Sequence, residues 1–143
     1  MANIIPFAFR GELFSGTHNF ASGGDSFKIA LYTSIAAFST ASTTYITTNE
    51  VSSGGGSGYT TTGQVLGSQA VASSTAVASV DFADSSIANA TFGAAGAAIY
   101  NDDKSDKLCV VLDFGGTKTA TNGTFTIAFP DPSTPANAII SMS

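Results

Sequence analysis

The sequence predicts an all-β fold, an antiparallel β-sandwich or jelly-roll-like barrel of seven or eight short strands with an N-terminal arm or short helix. Three observations lead there. From Phe27 onward, short stretches place an apolar residue at every second position, which is the side-chain period of a strand. Clusters of Gly, Asn, Asp, Ser and Pro separate those stretches and mark turns. Helical and strand periods do not alternate, so a parallel α/β sheet is excluded and an antiparallel sandwich or barrel is favoured.

The first segment stands apart. Ile4, Ile5, Phe7, Phe9, Leu13, Phe14 and Phe20 crowd bulky apolar side chains around Arg10, Glu12 and His18. Pro6 suits a first helical turn, and Gly11 and Gly16 weaken or end a helix, so residues 6–15 read as a short helix or irregular arm. Phe7 and Phe14 lie about two turns apart and share a face, with Arg10 between them. Ala21-Ser22-Gly23-Gly24-Asp25 is a loop, and the chain divides there into an arm over 1–24 and a sandwich body over 25–143.

Phe27, Ile29 and Leu31 alternate with Lys28, Ala30 and Tyr32, the pattern of a half-buried strand. Residues 33–58 form a long polar connection ending in Ser52-Ser53-Gly54-Gly55-Gly56-Ser57-Gly58, too flexible for a strand. Gln64–Ala70 and Thr75–Phe82 are further strands, and Thr91-Phe92 begins another. The clearest unit is a hairpin: Ala97–Tyr100, a turn over 101–106 rich in Asn, Asp and Ser, then Lys107–Phe114. In its second strand Leu108, Val110 and Leu112 are expected to face one way, and Cys109, Val111 and Asp113 the other. Gly115-Gly116 and Asn122-Gly123 bracket an expected polar turn. Thr124–Phe129 alternates again, Pro130, Pro132 and Pro135 break the chain, and Ala138–Met142 is the last strand.

Composition narrows the function. The chain has 143 residues, 43% hydrophobic and 10% charged, with a net charge of −5. That is one domain's length, and about two-thirds of its surface can be buried on folding. Five Lys+Arg against ten Asp+Glu do not build a nucleic-acid-binding surface. No apolar run approaches membrane-spanning length. Met1–Pro6 carries no basic leader, so synthesis and folding in a cytosol are expected. Charge is well below the roughly 25% of typical domains; a surface hydrated by Ser and Thr repels neighbours weakly and suits a protein packed in an assembly.

Catalytic readings find little support, and no enzyme, cofactor or metal is expected. One cysteine excludes an intrachain disulfide, and one histidine excludes any site needing two imidazoles. Cys109, among Leu108, Val110 and Val111, reads as a buried strand thiol. Asp102, Asp103 and Asp106 lack the spacing and closing glutamate of a helix–loop–helix calcium site and read as a solvated turn. Asp81 and Asp84 are three apart on a strand and point to opposite faces, unlike a hydrolytic pair. His18 has no G-x-S-x-G partner motif, and the glycine clusters lack the ending of a phosphate loop. Tyr32, Tyr45, Tyr59 and Tyr100 leave a sugar-stacking platform open.

The order of short motifs carries more. Lys28-Ile29-Ala30-Leu31-Tyr32-Thr33, Thr48-Asn49-Glu50-Val51, Gly58-Tyr59-Thr60 with Gly63, and Val80-Asp81-Phe82-Ala83-Asp84 come first. Ala98-Ile99-Tyr100-Asn101, Leu112-Asp113-Phe114-Gly115 with Lys118-Thr119, and Asn122-Gly123-Thr124-Phe125-Thr126-Ile127 follow. In this order, over residues 27–129, they resemble a widespread family of small tailed-bacteriophage virion structural proteins. Two positions depart from the family's pattern: Ile87 stands where it has a tryptophan, and Thr61-Thr62-Gly63-Gln64 replaces a double glycine after Gly-Tyr-Thr.

The resemblance implies a structural protein of the particle, foremost a head cement (decoration) protein linking neighbouring capsid subunits. The implied partners are the major capsid protein and further copies of the chain, in a cyclic oligomer with a trimer foremost. A tail, baseplate or fibre protein with receptor or glycan binding is the alternative; a non-viral adhesion or carbohydrate-binding domain, or an enzyme with an unrecognised site, is the third. A cement protein needs a compact body and a segment that reaches another chain. Ile4, Ile5, Phe7, Phe9, Leu13 and Phe14 form the candidate segment; capping the open end of their own sandwich is the competing role.

Overall fold

A computed structural model describes residues 2–74, 76–131, 134 and 138–142. Thr75, Pro132 and Pro135, assigned above to strand ends and breaks, lie outside the described residues. In chain order the elements are α1 (Phe7–Phe14), β1 (Phe27–Tyr32), β2 (Gln64–Val65), β3 (Ala70–Ser73), β4 (Ala78–Asp81) and β5 (Ser85–Asn101). A 3₁₀ turn (Asp102–Lys104), β6 (Lys107–Ile127) and β7 (Ile140–Met142) complete them. Strand accounts for 44% of the chain and helix for 8%, so the fold is all-β. Two antiparallel sheets, ordered β2-β1-β5-β6 and β3-β4-β7, pack as a sandwich and do not close into a barrel.

The strands are not all short. β5 runs for 17 residues and β6 for 21. The polar turn expected between Gly115 and Gly123 is instead continuous strand. Gly115 (φ 70°), Gly116 (φ 137°) and Asn122 (φ 47°) adopt left-handed backbone, and the register jumps from Gly96↔Asp113 to Ala94↔Lys118 beside them. Residues that signal turns serve here as β-bulges, which bend a long ribbon without ending it. Only Gly96–Asn101 of β5 also pairs with β1. The distal parts of β5 and β6 form a two-stranded ribbon whose Ile87, Ala90, Phe125 and Ile127 turn into the core.

The expected strand Gln64–Ala70 is two strands on different sheets, separated by Gly67 and Ser68 (φ 54°). The chain crosses between the layers at that point.

The first sheet is covered on both faces, which corrects the half-buried reading of β1. Phe27, Ile29 and Leu31 join the main core between the sheets with Phe82, Ile99, Val110 and Ile140. Ala30 and Tyr32 join a second cluster with Ile35, Phe38, Tyr100, Leu108 and Val111. The long connection after β1 supplies Ile35 and Phe38, and Tyr45 and Ile46 pack beside them. Alternation along β1 therefore sorts residues between two cores, and only Lys28 escapes full burial.

Candidate interaction surface

α1 begins after Pro6, whose extended backbone (φ −60°, ψ 148°) feeds the first turn, where a missing N–H costs nothing. It stops at Ser15 and Gly16, the latter at φ 68°, the usual left-handed helix end. The inward face is short. Phe9 is 1% exposed, its ring 5.2 Å from that of His18 and 6.1 Å from that of Phe20. Ile5 and Leu13 pack partly buried against the same core.

Ion pairing fixes the helix. Lys107 Nζ donates to Glu12 Oε1 (2.6 Å), and His18 Nε2 lies 2.8 Å from Glu12 Oε2. Asn101 Nδ2 reaches both His18 Nδ1 (2.9 Å) and Asp25 Oδ2 (2.8 Å). The Asn101 oxygen accepts from the Asp103 amide (3.1 Å) and its nitrogen can only donate, so His18 accepts at Nδ1 and its Nε2–H donates to Glu12. Burial raises the Glu12 pKa, but the bonds from Lys107 and His18 outweigh it and hold that carboxyl below its ordinary value. Asp25 is likewise lowered: the bonds from Asn101 and the Asn19 amide, with Lys104, overcome its desolvation. The single histidine thus belongs to a structural relay that ties α1 to the β5–β6 hairpin.

The six sequence candidates divide. Ile4 exchanges backbone hydrogen bonds with Val111 (2.8 and 2.9 Å) and packs against the second cluster. Ile5, Phe9 and Leu13 pack against the main core. These four serve the chain's own packing. Phe7 and Phe14 remain outside, 62% and 93% exposed. Arg10 lies between them, its guanidinium carbon 5.4 Å from the Phe7 ring centre. A large aromatic left in water forgoes about 1.5–3 kcal/mol of burial, so two on one helical face are a costly arrangement for an isolated molecule.

Beside Phe14 runs an apolar groove of about 340 Å³ between α1 and β7, walled by Ile5, Leu13 and Phe14 on one side and Ile140 and Met142 on the other. A smaller apolar groove, about 160 Å³, continues from Leu13 and Met142 to Val71 and Val80. Met142 and Val71 are 58% and 57% exposed. Sequence reasoning missed this far wall, because nothing local says that the last strand lies beside the first helix.

The tyrosines form no platform for a sugar. Tyr32, Tyr59 and Tyr100 are buried, and Tyr45 stacks on Tyr100 at 4.7 Å. Tyr59 Oη donates to Glu50 Oε1 (2.7 Å) and accepts from the Leu31 amide (3.0 Å); Tyr45 Oη donates to Glu50 Oε2. Burial, then the hydrogen bond to Glu50, hold the Tyr45 and Tyr59 phenols above their ordinary range. This cluster pins the 33–62 connection onto the first sheet.

Cys109, Asp84, Asp102 and Asp103 also have structural partners. Burial pushes the Cys109 thiol up, away from thiolate chemistry. Asp102 pairs with Lys28 (3.0 Å), Asp103 Oδ2 accepts from the Ser26 amide (2.7 Å), and Asp84 accepts from the Phe129 amide (2.8 Å). No family model, curated protein or solved structure matches the chain.

Proposed function

We propose that the chain is a bacteriophage virion structural protein, a capsid cement protein on the head surface that links neighbouring capsid subunits. The single observation that carries this reading is the outward pair Phe7 and Phe14 on a helix clamped to a β-sandwich. The motif order of residues 27–129, resembling tailed-phage virion proteins, supports it, as does a surface of low charge. Each exposed aromatic can bury about 150–200 Å² on a neighbour, worth several kcal/mol gross for the pair at about 25 cal/mol/Å². Association costs remove part of that, and repetition over a symmetric shell restores it as avidity.

The test is attachment. Full-length chain is incubated with capsid shells lacking it, pelleted, and counted per particle. Hundreds of copies per shell, reduced at least tenfold by Phe7→Ser with Phe14→Asp at unchanged melting temperature, is the expected result. A handful of copies would move the chain to the tail or baseplate. Unaltered attachment of the double variant would remove α1 from the contact.

A further inference from the structure

β6 lies at the edge of its sheet, and its outer side changes character along its length. Near the body the chain covers that side with its own segments. Ile4 exchanges hydrogen bonds with Val111, the Leu108 amide donates to the Thr43 carbonyl, and the Asp113 amide donates to Asn3 Oδ1. From Gly116 to Ile127 the backbone bonds only to β5 among the described residues. Residues 115–119 are exposed without a break. The far side of β5 is closed at Thr91, whose amide donates to the Ser57 carbonyl (2.9 Å). A row of backbone donors and acceptors is thus left open on β6, the feature by which a sheet takes on a further strand. We propose that this open edge receives an extended, acidic segment of the capsid partner as an added strand.

Charge and shape select that occupant. Lys28, Lys104 and Lys107 each pair with a carboxylate, and Arg10 lies over the Phe7 ring. Lys118, on the open edge, is the one cation without such a partner among the described residues. β6 holds no acid after Asp113, so a second copy paired along the same strand brings another lysine and no counter-charge. An edge lysine guards against that pairing. A strand carrying Asp or Glu opposite Lys118 supplies the missing charge. Thr117–Thr121 lies between the bulges, in regular register from Lys118↔Ala94 to Ala120↔Phe92, and its threonines are β-branched residues that suit pairing. Beside Lys118 is a cleft of about 390 Å³, lined by Phe114, Thr119, Thr124, Phe125 and Ile127. Alternate side chains of a strand share a face, so an apolar residue two along from the acidic one reaches this cleft. The contact rests on the cement reading and deepens it: linking neighbours takes two surfaces, and this cleft shares no residue with the groove beside α1.

Hydrogen exchange of the full chain, free and bound to stripped capsid shells, reads the proposal. The outward amides within 117–121 are expected to exchange freely in the free chain and to slow by about tenfold or more on the shell. Lys118→Glu should lower the number of copies per shell by about tenfold at unchanged melting temperature, and Lys118→Arg should attach like the wild type. Bound chain whose edge amides still exchange at the free rate, or full attachment of Lys118→Glu, would overturn the contact and leave the cement reading standing. Edge amides already slow in the free chain at micromolar concentration, and faster on dilution, would give the edge to a second copy and overturn it as well. A wild-type chain that ignores shells removes the cement reading and this contact with it.

Discussion

Cys109 occupies a bulge, and that one extra residue decides which way its neighbours face. Ile99 pairs with Val110 but Tyr100 pairs with Leu108, so Leu108 joins Tyr100 in the second cluster while Val110 and Leu112 enter the main core. Simple alternation places Leu108 with Val110; a bulge is invisible to period-two counting because a slip of one residue exchanges faces. Truncations check the assignment. Leu112→Ala and Phe125→Ala should each cost about 2–5 kcal/mol in urea unfolding, and a loss below about 1 kcal/mol would place either side chain outside the core. Gly63 has φ 80°, and an added Cβ would lie 2.0 Å from the Ile29 carbonyl oxygen. Gly63→Ala should therefore cost at least about 2 kcal/mol, combining backbone strain with the collision. Ser79 presents a contrary case. Its hydroxyl is buried with no hydrogen-bond partner among the described residues, so Ser79→Ala should be neutral or stabilise by about 1 kcal/mol.

α1 is held at two kinds of site, one apolar and one ionic. Phe9 fills the core, and Glu12 bridges to Lys107 and His18. The ionic part gives a pH dependence of definite sign. Glu12 and Asp25 both titrate lower in the folded chain than their ordinary values, so the fold prefers their ionised forms. The stability they contribute is complete above the unfolded carboxylate range, near pH 4, and is lost as pH falls through the lower folded values. Urea midpoints from pH 6 down to pH 2 should decline, and Glu12→Gln should flatten that decline; an unchanged slope would contradict the relay. The helix itself was legible from Pro6, Gly16 and the Phe7–Phe14 spacing. Its partners were not, since Lys107, Asn101 and Met142 come from sequence-distant strands. The length of β5 and β6 was hidden for a related reason: glycine and asparagine at left-handed positions signal a turn and a bulge alike, and only cross-strand pairing separates the two.

At the scale of the whole molecule, the quoted motifs turn out to be framework. Glu50 receives Tyr45, Tyr59 and the Thr62 amide; Phe82 fills the core; Asn101 joins His18 to Asp25. They account for a sheet buried on both faces and a long connection pinned to it, which is why the all-β class was readable from alternation and turn clusters. What faces outward is a different set: Phe14 and Met142 wall the larger apolar groove, Val71 lines the smaller one beside it, and Phe7 projects from the same helix as Phe14. Removing the whole arm is a poor probe of that surface, because Phe9 and Phe20 would leave the core with it. Substitutions confined to the exposed rings leave the core intact. The most direct measurement is co-sedimentation of the full chain with stripped capsid shells, wild type against Phe7→Ser with Phe14→Asp. The account predicts shells saturated by the wild type and nearly bare with the folded variant; shells that bind neither chain, or both equally, would contradict it.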